Sequence, residues 1–186
     1  MWNLDNENQF DDEELTIFIK KYVSEGYHIY VGTDSQAVQE KYVFATAICM
    51  HHPVKRDGVC YFWQKVKFRR EHFYNLKQRM MKEATLTLMA ANFVRENIPD
   101  AIIEVHFDIS NEERYKSNKS MSLVTSYAKG FGFQYKVKPN AWAASGAADS
   151  HCKRSGLLKF SAKPFRASLK AFMPLSPPSC DSGNCN

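Results

Sequence analysis

Four acidic residues stand where their neighbours are apolar or small, and that is where a carboxylate does chemistry. Asp34 follows HIYVGT, an apolar run that reads as a strand, and so ends that strand. Asp108 lies in IIEVHFDI, where Glu104, His106 and Asp108 alternate with Ile103, Val105, Phe107 and Ile109. Glu83 falls on the face formed by Leu76, Met80, Thr87, Ala90 and Val94, which step by three and four along a helix. Asp149 follows AASGAA, small side chains that let a segment approach another element closely. A buried carboxylate needs a cation, a proton or strong donors. Taken singly, these acids also read as a core ion pair, a strand-end turn residue or a misjudged helix phase. Taken together, Asp34, Glu83, Asp108 and Asp149 are the supply for a site holding two Mg²⁺ or Mn²⁺ ions, which prefer carboxylate oxygen and water. Two such ions a few ångströms apart activate a water and stabilise the leaving oxygen of a phosphodiester.

The elements must bring these residues together. Asp11 or Asp12 caps a helix running to about Ser24, with Leu15, Phe18, Ile19, Tyr22 and Val23 as its apolar stripe and Gly26 at its end. Three strand-like runs follow at 27–33, 42–50 and 59–68, joined by short polar links, and predict an antiparallel meander. A long helix spans 75–97, a fourth strand 102–109, a helix 118–131, a fifth strand 133–138, and AWAASGAADSH forms a small-residue helix. A right-handed crossover lays the fourth strand beside the first, parallel to it. Asp34 and Asp108 then meet at the carboxyl ends of the strands, where open sheets bind ligands. Convergence also requires Glu83 to reach the sheet face that carries these aspartates.

The chain has 186 residues, enough for one domain with a real core. Apolar residues make up 44% and charged residues 24%, a globular composition. No apolar run approaches the ~18–20 residues that span a bilayer, and the acidic start MWNLDNENQFDDEE is no signal peptide; a soluble cytoplasmic protein is expected, with no membrane partner. Five cysteines, an odd number with no C-x-x-C pair, point to reduced thiols. Net charge is +5, but residues 1–25 hold seven acids against two lysines, which leaves +10 on the remainder. A basic body suits an acidic partner such as nucleic acid, and equally suits mere solubility. Three regions are expected: an acidic segment 1–11, a domain 12–154, and an extension 155–186 that is basic and then Pro/Ser-rich.

Lesser candidates surround the acids. Ser35 and Gln36 would donate to a substrate backbone, or form an ordinary polar turn. Lys65, Lys67, Arg69 and Arg70, then Lys77, Arg79 and Lys82, interleave with Phe68, His72, Phe73 and Tyr74. Such a mixture binds phosphates and stacks bases, or else is a solvated helix entry with its aromatics in the core. His151, two residues past Asp149, would carry protons only if its helix has already ended.

The stretches GTDSQ (32–36), LKQRMMKEA (76–84), VHFDIS (105–110) and KPNAWAASGAADSH (138–151) closely resemble the bacterial YkuK-type family of ribonuclease H-like proteins, over about residues 12–153. The resemblance implies an α/β, ribonuclease H-like fold: a five-stranded mixed sheet whose first three strands form the meander, with the fourth and fifth parallel to the first. Helices flank the sheet, and an N-terminal helix precedes it. By motif matching, Asp34, Glu83, Asp108 and Asp149 fall at the positions of the family's acids. The function so implied is hydrolysis of phosphodiester bonds in RNA, RNA–DNA hybrid or structured DNA with two Mg²⁺ or Mn²⁺ ions. The alternative is a non-catalytic nucleic-acid-binding or adaptor module of the same fold. A nucleotide-binding regulator is a third class.

Overall fold

The computed structural model describes residues 1–4, 8–56, 58–110 and 120–152. The basic and Pro/Ser-rich extension predicted for 155–186 lies outside these described residues.

Helix α1 (Asp12–Ser24) starts where the carboxylate of Asp11 accepts the backbone N–H groups of Glu13 and Glu14. Glu14 in turn accepts the Asp11 N–H at 3.0 Å, completing a reciprocal cap. The N-terminal strands β1 (Trp2–Asn3) and β2 (Gln9–Phe10) precede it. The meander is β3 (His28–Val38), β4 (Lys41–His51) and β5 (Val59–Arg69). Then come α2 (Leu76–Asn97), β6 (Ile103–Ser110), α3 (Met121–Gly130) and β7 (Gln134–Lys138). A π-helical turn (Ala143–Ala148) runs directly into the short helix α4 (Asp149–Cys152).

Among the described residues the sheet has seven strands in the order β2-β1-β5-β4-β3-β6-β7. The five expected strands are β3 to β7, with β6 parallel to β3 and β7 parallel to β6. The expectation of five is corrected by β1 and β2, which pair with each other and extend the sheet past β5. At two residues apiece they are too short to show a periodicity. They are nevertheless anchored: Trp2 is buried, and its indole N–H donates to Asp12 at 3.1 Å. Phe10 meets the Phe18 and Phe62 rings edge-on.

Side chains alternate across the sheet. Odd-numbered β3 and β6 residues and even-numbered β4 and β5 residues, including Val31, Val105, Ile48 and Phe62, pack beneath the three longer helices with Leu15, Ile19, Leu88, Val94 and Val124. The opposite face receives the Ala143–Cys152 segment, through Ala47, Cys49, Ala143 and Ala148. A Cβ on Gly32 would lie 2.5 Å from the Ala144 nitrogen and 2.8 Å from its Cα. Only glycine lets that segment lie on β3. No helix among the described residues is long and apolar enough to cross a membrane.

Asp34 does not end its strand. β4 continues to pair with β3 through Asp34↔Ala45 to Val38↔Lys41. It is β6 that departs: its pairing with β3 stops at Thr33↔Phe107, and its register with β7 breaks between Phe107 and Ser110. The sheet therefore opens beside Asp34, with Asp108 inside the irregular stretch.

Candidate active site: four carboxylates at an opening in the sheet

The four acids lie around the opening, near enough for Glu83, Asp108 and Asp149 to act on Asp34. Asp34 projects from β3 onto the face covered by α4, and its carboxyl is hydrogen-bonded to that of Asp149, the first residue of α4. Burial pushes the Asp34 pKa well above the carboxylate range; the charge of Glu83, the bond to Asp149 and the charge of Asp108 add to the rise. The rise favours a protonated Asp34, whose carboxyl can then donate in the bond to Asp149. Glu83 reaches the opening from α2, on the other face of the sheet. Its side chain is buried and accepts the Ser35 hydroxyl at 2.5 Å. Burial raises Glu83 to about 7; Ser35 and Arg79 oppose the rise, and Asp108 adds to it. The expectation that the acids share one sheet face does not hold. Glu83 acts on Asp34 from the other face at the place where β6 leaves β3.

Two cations stand among them. Lys138, at the end of β7, places Nζ 2.8 Å from Asp108 Oδ1, an ion pair without hydrogen-bond alignment, since that oxygen has no hydrogen-bond partner. Arg79 Nε lies 3.8 Å from Glu83 Oε1 and is likewise buried without a hydrogen bond. The Arg79 guanidinium also lies 5.4 Å from the centre of the Tyr42 ring. Sequence reasoning singled out Arg79 and missed Lys138. Its signal was present in FQYKVK, where alternation puts Lys138 on one side of a strand beside that of Asp108.

His106 was also missed. It is fully buried; its Nδ1 accepts the Ala143 N–H at 3.0 Å, and its Nε2 lies 2.9 Å from Glu104 Oε1. Nε2 must then carry the proton, and burial lowers the ring's pKa, so the imidazole is neutral. His106 thereby ties the start of the π-helical turn to β6, two residues before Asp108. One side chain fixes the spacing between the elements that carry Asp108 and Asp149.

Other candidates fall elsewhere. Ser35 is buried against Glu83 rather than open to a ligand. Thr33 is spent on Thr46, hydroxyl to hydroxyl at 2.9 Å. Gln36 lies on the Asp34 face, and its Oε1 is buried without a hydrogen bond. Lys77 is exposed at the start of α2. His151 is still within α4 and turns away from Asp149. It stacks on Trp63 at 4.2 Å, sits 3.2 Å from the Tyr61 hydroxyl, and is lowered to about 4 by burial. The basic stretch is split by the pleat: Phe68 packs with Phe44 and Phe73 on the α2 side, while Lys65 and Lys67 face the Asp34 side.

The donor set fits hard divalent cations. It consists of carboxylate oxygens whose burial, and secondarily the charge of their neighbours, lifts Asp34 and Glu83, and a bound cation would favour their charged forms. Among the described residues, no three His, Cys, Asp or Glu side chains are drawn together to hold an ion. Asp108 is turned to Lys138, and Glu83 to Ser35 and Arg79. A family model described as Ribonuclease H-like matches residues 12–153. No curated protein matches the chain.

Proposed function

We propose that this chain, which belongs to the ribonuclease H-like family, is a divalent-metal-dependent phosphodiesterase acting on RNA, RNA–DNA hybrid or structured DNA. The observation that carries this is the neighbourhood of Asp34 at the opening of the sheet, where burial, Glu83, Asp149 and Asp108 together raise its pKa. Asp34, Glu83, Asp108 and Asp149 would hold two Mg²⁺ or Mn²⁺ ions. Bound there, such ions supply a nucleophilic water and stabilise the departing oxygen. The chain's own residues prepare the place. Ser35 fixes the rotamer of Glu83, the Asp34 carboxyl is hydrogen-bonded to that of Asp149, and His106 sets the position of the Asp149 segment. Arg79 and Lys138 are the cations nearest to an incoming phosphate.

The test is cleavage of labelled RNA, hybrid and branched DNA with Mg²⁺ or Mn²⁺, compared with EDTA. Cleavage that needs the metal and disappears in Asp108→Asn supports the reading. Intact substrates under every metal condition, with saturable binding, favour the adaptor module instead. One observation favours that second reading: Lys138 and Arg79 already neutralise part of the carboxylate charge.

A further inference from the structure

We propose that the exposed sheet face beside Asp34, formed by Lys41 of β4 with Lys65 and Lys67 of β5, is the track that holds the phosphates of the substrate strand as it leaves the carboxylates. The register sets the layout. Asp34 pairs with Ala45, and Ala45 pairs with Lys65, so these three lie in one row across the sheet and on one face. The next row on that face is Gln36, Val43 and Lys67, and the one after it ends on Lys41 and Arg69. Ala45, the step between Asp34 and Lys65, and Val43 in the next row are buried, with the Cys152 thiol of α4 against the Asp34 and Val43 carbonyls, so the exposed part of the rows is their lysine end. Along these rows lies a cleft of about 360 Å³, lined by Val38, Glu40, Lys41, Lys65, Lys67 and His151 among others. Its wall is Cys152, whose thiol donates to the Asp34 carbonyl at 2.9 Å, so the cleft abuts the carboxylates.

The charge in this cleft is not compensated. Lys41, Lys65 and Lys67 are exposed, and none pairs with a carboxylate among the described residues. Glu40 is the one acid in the lining. The Lys65 ammonium rests over the Trp63 ring at 4.8 Å, and His151 stacks on that ring, which holds Lys65 at the rim. Neighbouring strands are ~4.8 Å apart, which puts the backbone of Lys65 about 10 Å from that of Asp34. Each nucleotide of a duplex strand advances about 3.4 Å along the axis, so the lysines meet phosphates about three nucleotides from the carboxylates. A row of unpaired cations beginning beside a carboxylate cluster matches a polyanion whose backbone runs past that cluster.

This rests on the nucleic-acid substrate proposed above, and the experiment separates the two. Binding of a labelled RNA to the full chain is followed by fluorescence anisotropy in EDTA across a salt series, and cleavage is followed separately with Mn²⁺. Lys65→Ala/Lys67→Ala should bind roughly tenfold more weakly, with a log Kd against log salt slope shallower by about 1.4 to 2. Lys65→Arg/Lys67→Arg should keep the parent slope, and Lys20→Ala/Lys21→Ala on α1 should leave it unchanged. If the parent cleaves RNA but the alanine pair binds with undiminished affinity and slope, the track is wrong and the phosphodiesterase reading stands. If the pair loses binding while the parent never cleaves, the track stands and the catalytic reading falls. Equal competition by poly-glutamate of the same charge would also overturn it, because the lysines would then recognise acidic polymers in general.

Discussion

Asp34 is where the electrostatic conflict of the site is concentrated, because it is buried, is acted on by the charges of Glu83 and Asp108, and is hydrogen-bonded to Asp149. Asp34→Asn keeps a donor toward Asp149 and removes one ionisable group. The metal-free protein should be stabilised by about 1 kcal/mol, a rise of roughly 2–4 °C in Tm for a chain of this size. Stabilisation by added Mn²⁺ should shrink at the same time. Thermal melts with EDTA and with Mn²⁺ check both, and an equal loss of stability in the two would make Asp34 a structural residue. Ser35 behaves in the opposite sense. Its hydroxyl is the donor that holds Glu83 down, so Ser35→Ala leaves a buried carboxylate without that partner and should cost about 1–3 kcal/mol in urea unfolding. The residue types and their order along the chain were legible from the sequence. That Ser35 serves Glu83 was not, because the partners are 48 positions apart and belong to a strand and a helix that meet only in the folded sheet.

At the scale of elements, periodicity placed α1, α2 and the meander within one or two residues of where they stand, apart from β3, which runs on to Val38 because β4 supports it. What periodicity could not show was the gap. The departure of β6 from β3 after Phe107 is a property of register, and no local pattern encodes it. The run AASGAA was legible as a segment made for close approach, but its π-helical winding was not. Gly32 is the counterpart of that run on the strand, and it makes room for backbone rather than for a ligand. Gly32→Ala would push a methyl into the Ala143–Ala144 backbone, which has no side chain to rotate aside. Overpacking of this kind typically costs about 1–3 kcal/mol. Because that segment carries Asp149, metal affinity measured by calorimetry should fall together with Tm. An unchanged affinity would separate the packing of the turn from the site.

Across the whole molecule, the excess of positive charge outside the first 25 residues was legible at once, while its useful part was not. The pleat decides that Lys65 and Lys67 join Asp34 on one face while Phe68 turns to the other. The same global view gives the pH dependence of stability. Asp34 and Glu83 have folded-state pKa values raised by burial, to about 8 and about 7. Between their unfolded values and these, the native state holds protons that the unfolded chain has released, so both groups favour folding less as pH rises. His106 and His151 are lowered by burial, so in the acid range the unfolded chain binds protons that the native state does not. Their contribution rises with pH and is complete by about pH 6.5, the unperturbed value for histidine. Below about pH 6.5 the two pairs oppose each other. From about pH 6.5 to 8 the acids dominate, with the buried thiols of Cys49, Cys60 and Cys152 adding a smaller loss near pH 8, and the metal-free protein should lose about 2 kcal/mol. Asp34→Asn should remove most of that decline. Saturating Mn²⁺ should abolish it, since bound carboxylates are already deprotonated. Urea unfolding at a series of pH values, with EDTA and with Mn²⁺, measures all three; a metal-free stability that is flat or rising from pH 6.5 to 8 would mean that Asp34 and Glu83 are not protonated together in the folded protein.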